Sequence, residues 1–223
     1  MGESTMADNK ELQELASQLR QPQGDKGVKV AEMMNETNIN MTLHSIKRLN
    51  LQAGERILEL GHGNCGHLVQ LLEQKSNLSY YGLEMSALMQ EEAQRLNQQF
   101  FDNGQASFYL YDGLHIPFES NFFDKVFTVN TIYFWKEPEE LLTELYRVIK
   151  PGGILNITYA QGDFMKQLPF VQFGFTLYND EKIKKLFDNT AFCLVEAETQ
   201  TETVKSKTGE TVDRTFTTIT VEK

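Results

Sequence analysis

The chain has 223 residues, 40% of them hydrophobic and 23% charged, with a formal net charge of −10. That balance suits a globular domain with a substantial core, and so acidic a surface repels phosphate backbones, which argues against a nucleic-acid partner. The two cysteines, Cys65 and Cys193, are far apart and form neither a disulfide framework nor a metal-binding spacing. No apolar run approaches the roughly 20 residues of a membrane span. The polar N-terminal stretch lacks the apolar core of a signal peptide, so a cytoplasmic location is expected.

Residues 1–26 read as a flexible arm ending in a short helix, with Leu12, Leu15 and Leu19 on one side and "QPQGDKG" as a breaker. Residues 27–52 read as helical, because Ile39, Leu43, Ile46 and Leu49 recur at three- and four-residue steps. A break is expected near "NETN", residues 35–38.

From Arg56 the rhythm changes. "RILEL", "LSYYGLE", "ASFYLYD", "DKVFTVN" and "GGILNITYA" read as buried strands. Between them lie the helical patterns "HLVQLLEQ", "SALMQEEAQRLNQQF", with Ser86 as N-cap, and "EPEELLTELYRVI". Such alternation predicts a parallel sheet covered on both faces. An aromatic-rich stretch and the helix "NDEKIKKLFDN" follow. Then "AFCLVEAETQTE" and "RTFTTITVE", joined by "SKTGE", read as a hairpin at the sheet edge. The predicted class is α/β, a Rossmann-like doubly wound sheet, mostly parallel with an antiparallel C-terminal hairpin strand.

Gly61, Gly63 and Gly66 form a G-x-G-x-x-G between a strand and a helix. The spacing allows a sharp turn and a close backbone approach to a nucleotide-like ligand at a helix start. Glu84 ends the next strand, just over twenty residues on, where a carboxylate can accept from both hydroxyls of a ribose. Dinucleotides and S-adenosylmethionine both use this layout. Glu59, two residues before Gly61, stands near where the amino group of a methionine moiety would lie, whereas a carboxylate has little use beside a pyrophosphate. Asp112, in "YDG", can accept from an adenine amino group, and the chain ends in a hairpin rather than a second mononucleotide-binding half. Tyr178 and Lys182 have the spacing of short-chain dehydrogenases, but the upstream serine and the glycine motif of those enzymes are missing.

The blocks "ILELGHGNCGHL", "GLEMS", "YDGLHIPFESNFFDKVFTVNTIYFW" and "ELYRVIKPGGIL" resemble, in order, the motifs of the class I S-adenosylmethionine-dependent methyltransferases. The resemblance is to the small-molecule branch that includes quinone and sterol C-methyltransferases, and it covers about Gly24 to Thr158. It implies a seven-stranded sheet over residues 27–223, with a helical lid at 27–52 and a substrate cap at 160–190. It also implies S-adenosylmethionine as cofactor and S-adenosylhomocysteine as product. One position departs: the family's third glycine falls on Cys65, which fits the turn if its φ is negative.

The candidate cofactor residues are Glu59, Gly61, His62, Gly63, Glu84, Met85, Asp112, Gly113 and Asn130. The His62 ring is expected beside the methionine end, His115 on the adenine side, and His67 as structural. His62, Cys65 and His67 crowd one tight turn that already has a cofactor role, so no metal is expected. Methyl transfer from a sulfonium is a direct displacement that needs alignment and water exclusion more than a base. His44 and Tyr133 are the candidate catalytic groups. Tyr133, Trp135, Phe170 and Phe173 are the candidate acceptor pocket, and their aromatic character points to an apolar or aromatic small molecule. The expected partner is that acceptor, for a monomer or homodimer. Two rival readings stay open: a non-catalytic S-adenosylmethionine-binding regulatory protein and an NAD(P)-dependent oxidoreductase.

Overall fold

The computed structural model describes residues 2–205 and 211–223. Two helices lead, α1 (Gly2–Arg20) and α2 (Gly24–Arg48). Then come β1 (Arg56–Leu60), α3 (Leu68–Leu72), β2 (Ser79–Glu84), α4 (Ala87–Leu96), α5 (Gln98–Asp102) and β3 (Ala106–Leu110). β4 (Phe123–Val129), a 3-10 turn (Ile132–Phe134), α6 (Pro138–Val148), β5 (Ile149–Ala160) and α7 (Gly162–Met165) follow. A second 3-10 turn (Pro169–Gln172), α8 (Asp180–Phe187), β6 (Cys193–Lys205) and β7 (Thr211–Glu222) complete the chain. The expected turn "SKTGE" lies outside the described residues. No helix among the described residues is long and apolar enough to cross a membrane.

The seven strands lie in the order β3-β2-β1-β4-β5-β7-β6. β1 to β5 pair in parallel, and β7 runs antiparallel to both β5 and β6. The predicted fold class is the observed one. Period-two alternation along β1 sends Ile57 to one face of the sheet and Leu58 and Leu60 to the other, so each face carries its own core. Helix α6 lays Leu141, Leu142, Leu145 and Val148 against one of them, burial that contributes about 2 kcal/mol per side chain. Strand order reverses between β1 and β4, which opens a crevice at the carboxyl ends of the parallel strands.

Three local expectations are corrected. The short helix of the arm extends over Gly2–Arg20, and only Gln21–Gln23 separate it from α2. Helix α2 runs unbroken through residues 35–38. The polar groups there are occupied: the Thr37 hydroxyl donates to the Met33 carbonyl at 2.8 Å, and Asn38 Oδ1 accepts from Arg214 at 2.9 Å, so neither competes with the helix backbone. The third stretch, "SALMQEEAQRLNQQF", divides at Asn97, whose side chain donates to the carbonyls of Ala93 and Cys65. Its predicted N-cap holds: Ser86 Oγ accepts from the Met89 amide at 3.2 Å and also donates to the Pro22 carbonyl, which fastens the α1–α2 link to the sheet.

Candidate cofactor site

A cavity of about 360 Å³ lies at the carboxyl ends of β1, β2 and β4 and beside the residues that follow β3, within the ordinary range for small-molecule sites. All nine candidate cofactor residues line it: Glu59, Gly61, His62, Gly63, Glu84, Met85, Asp112, Gly113 and Asn130. The local geometry makes room for a ligand. Gly61 has φ +70, and a Cβ there would collide with Thr131 Cγ2. Gly63, at φ +56, would meet nothing within 4 Å, so its backbone faces open space. Cys65 also takes positive φ, 51°, so the sequence-based condition of a negative φ is not met. The loop keeps the glycine-like turn and the cysteine carries the strain.

The three carboxylates differ in what holds them. Glu59 is buried, and its Oε2 accepts from His67 Nε2 at 2.8 Å and from the Tyr80 hydroxyl at 2.5 Å. Glu84 Oε1 accepts the amides of Met85 and Ser86, and its Oε2 accepts that of Gly63. Asp112 is exposed and accepts the amides of Leu114 and His115 as well as His115 Nδ1 at 2.6 Å. The His115 side chain, followed by the two amides, lowers the Asp112 carboxyl to about 2, and the same pairing raises His115.

Several expectations about side chains are corrected. The His62 ring turns inward to the sheet, 5.3 Å from the Phe108 ring, where a Cβ on Gly82 would strike it. Its Nδ1 meets the Gly63 carbonyl, Nε2 has no hydrogen-bond partner among the described residues, and burial lowers its pKa. The exposed His115 is absent from the cavity wall, since its ring serves Asp112. His67, read as structural, is buried and also lines the cavity. His44 is not among the cavity's lining residues: it packs edge-on against Phe216, its Nε2 lies 3.8 Å from Glu198, and burial lowers its pKa. Tyr133 is buried beneath the wall, donating to Asn130 Oδ1 and the Ala160 carbonyl and accepting the Ala160 amide. Burial pushes its phenol well up, and neither candidate catalytic group is among the cavity's lining residues.

Of the candidate acceptor pocket, Trp135 lines the cavity and Phe170 and Phe173 do not. Residues 160–190 contribute no residue to this cavity among those described. Phe170 instead stacks on Phe175, which packs against Phe134 at 4.6 Å, so the aromatic stretch latches onto the turn after β4. Tyr178 is likewise buried, with the Lys182 ammonium 4.5 Å over its ring. The lid read at 27–52 named no contact residues, and α1 was not expected at the site; the leading helices supply Leu19 and Arg20 from α1, and Asn35, Asn38 and Thr42 from α2. Residues 35, 38 and 42 are spaced as one face of a helix, a polar stripe visible in the sequence.

The described residues also hold a set that can reach a metal ion: Glu59, Cys65 and His67 each place one ligand atom within 4.8 Å of the others. All three are engaged in hydrogen bonds around Tyr80, with the Cys65 thiol donating to the Tyr80 oxygen at 3.2 Å.

Residues 58–157 match the family model described as a methyltransferase domain. Together with the relatives and solved structures that follow, this match supports a class I S-adenosylmethionine-dependent methyltransferase. It is 30% identical over 122 residues to the uncharacterized methyltransferase YdaC of Bacillus subtilis, an alignment covering 53% of this chain and 65% of that protein. It is 28% identical over 170 residues to phosphoethanolamine N-methyltransferase 2 of Caenorhabditis elegans, covering 73% and 38% respectively. The chain thus spans less than two thirds of the length of these relatives. The fold is similar to that of Haemonchus contortus phosphoethanolamine N-methyltransferase 2 in complex with S-adenosyl-L-methionine. There the TM-score is 0.69 at 20% identity, over 90% of this chain and 57% of that one. S-adenosylmethionine is the cofactor of the family, and the residues here fit it. Glu59 Oε1, which accepts no hydrogen bond among the described residues, suits a cationic group, and Gly63 leaves the backbone open to close approach.

Proposed function

We propose that the protein transfers a methyl group from S-adenosylmethionine to a small molecule. The observation that carries this reading is the convergence of Glu59, Glu84 and Asp112, from the ends of three adjacent strands, on one cavity. Those acids match, in order, an amino group, a ribose and an adenine amino group. Glu59 takes the ammonium, Glu84 the ribose hydroxyls, and Asp112 the base, which Met85 and Gly113 flank. When bound, S-adenosylmethionine supplies an activated methyl group on a sulfonium. The chain holds the acceptor in line with it and keeps water out, the role of α2 as the lid proposed at residues 27–52. With His44 and Tyr133 outside the cavity, the reaction proceeds without either as base.

The acceptor side combines Phe134 and Trp135 with Arg20, Asn38, Thr42 and Lys136. This supports an acceptor with a flat apolar part and a polar or charged part, rather than a wholly apolar one. The segment 160–190 acts as a brace on the turn after β4 that positions the aromatic wall. Turnover decides between this function and a regulatory protein that only binds the cofactor. The protein is incubated with S-adenosylmethionine and a panel of amines, phenols and acids, and S-adenosylhomocysteine is quantified. Acceptor-dependent product is expected. Tight cofactor binding with no product across the panel would favour the regulatory reading, and binding of NAD alone would overturn both.

A further inference from the structure

The turn that carries the cofactor motif holds more polar machinery than it needs to bend. Cys65, Tyr80, Glu59 and His67 form one buried chain of hydrogen bonds: thiol to phenol at 3.2 Å, phenol to carboxylate at 2.5 Å, and imidazole to the same carboxylate oxygen at 2.8 Å. Each residue is at most 4% exposed. They come from different places. Glu59 is on β1, Tyr80 on β2, Cys65 in the turn and His67 at the entry to α3. Cys65 takes part only by accepting a left-handed backbone, φ 51°, at a position where such a conformation is unfavourable for any residue with a Cβ. Strain of this kind persists only where the surroundings enforce it, and it concentrates at functional sites.

Both donors converge on Oε2. Oε1 of the same carboxylate accepts no hydrogen bond among the described residues, although Glu59 lines the cavity. A carboxylate taken out of water is costly unless each oxygen finds a partner. One half of Glu59 is therefore satisfied from within the protein and the other half waits for a donor from the cavity. Rotation of the carboxylate toward another partner would break two buried hydrogen bonds at once, one of them reinforced by the thiol behind it.

Resting on the cofactor reading above, we propose that His67 and Tyr80, with Cys65 behind Tyr80, are positioning residues. They lock the Glu59 carboxylate so that Oε1 meets the ammonium group of the cofactor's amino-acid end. Tyr80 and Cys65 do not line the cavity, and His67, which does, acts in this role through Glu59. The effect is confined to the part of the ligand that Glu59 reads.

Titration calorimetry on the full chain tests this with two ligands, S-adenosylhomocysteine and 5′-methylthioadenosine, which shares the nucleoside and thioether but lacks the amino-acid end. Tyr80→Phe and His67→Ala are expected to weaken S-adenosylhomocysteine by about tenfold and to leave 5′-methylthioadenosine within about twofold. His67→Gln, whose amide still offers a donor, is expected to recover most of the loss. Thermal melts accompany each variant, and the isosteric Tyr80→Phe serves if His67→Ala does not fold. Equal weakening of both ligands, or no weakening of either, would overturn the proposal while the cofactor reading stands. So would stoichiometric uptake of Zn²⁺ that excludes S-adenosylhomocysteine, because a metal would draw Oε2 away from its two donors. If the unaltered protein binds neither ligand, the cofactor reading itself fails and the proposal falls with it.

Discussion

Glu84 Oε2 accepts the backbone amide of Gly63 at 3.1 Å, and that one bond ties the cofactor turn after β1 to the end of β2. The other oxygen holds the amides of Met85 and Ser86 at 2.8 and 3.1 Å. An ionised carboxylate has about four lone-pair sites, so three amides leave limited capacity for a ribose. The residue therefore shapes the loop as well as reading the ligand. Glu84→Ala is expected to lower S-adenosylmethionine affinity at least about tenfold and to cost about 2 kcal/mol of stability, because three amides lose their acceptor. Glu84→Gln keeps an oxygen for Met85 and Ser86 but turns an NH₂ toward Gly63, so its stability should lie between the two. Calorimetry and denaturant melts on the pair separate the effects. Full stability in Glu84→Ala would show that the loop does not depend on this carboxylate.

The two thiols should behave oppositely. Cys65 is fully buried, and burial pushes its thiol pKa well up, so little thiolate exists to react. Cys193 is exposed at the start of the edge strand β6. A thiol-reactive chromophore at pH 8 is expected to label one equivalent in the native protein and two in denaturant. Two equivalents under native conditions would mean that the cofactor turn opens on the time scale of labelling.

The legible part of the site was the part written locally. Glycine spacing, the acids at strand ends and the alternation of strands and helices are short-range patterns, and they placed all nine candidate cofactor residues on one cavity. Side-chain direction was not legible, because it is set by elements distant in sequence. His62 turns inward because Gly82 and Phe108, on two other strands, leave a slot for it. Tyr133 is withdrawn because Ala160 on β5 takes its hydroxyl. The aromatic stretch read as a substrate cap finds its partner in Phe134, a contact that local hydrophobicity does not distinguish from a pocket wall.

His44 bears on pH dependence rather than on catalysis. Desolvation is the first cause lowering its pKa, as it is for His62, with nearby carboxylates opposing. The folded state therefore binds these protons less readily than the unfolded chain. Stability from the neutral rings is fully present above the unfolded pKa of about 6.5 and is lost as pH falls through the folded values. The melting temperature is expected to drop as pH is lowered from about 7.5 to 5.5. His44→Phe keeps a ring against Phe216 and removes one titrating group, so the slope should flatten while methyl transfer stays within about twofold, since His44 does not line the cavity. A large loss of turnover in that variant, at unchanged stability, would return His44 to the list of catalytic candidates.

Arg214 couples the hairpin to the cavity wall. From β7 its guanidinium donates through both Nε and Nη2 to Glu202 of β6, through Nη2 to the Thr37 carbonyl inside α2, and through Nη1 to Asn38, which lines the cavity. Side-chain exposures of 8% for Arg214 and 12% for Glu202 make this a largely buried ion pair. Removing one partner leaves the other charge uncompensated, so Arg214→Met is expected to destabilise by about 3 kcal/mol and to free the Asn38 side chain. The double variant Arg214→Met, Glu202→Leu removes both charges and should regain much of the stability, because apolar replacement of a whole buried pair is often nearly neutral. It should not regain acceptor affinity, since Asn38 stays unheld. Chemical denaturation gives the first comparison, and the acceptor KM, once an acceptor is in hand, gives the second. Recovery of both quantities together would mean that the hairpin stabilises α2 without orienting the residue it presents to the cavity.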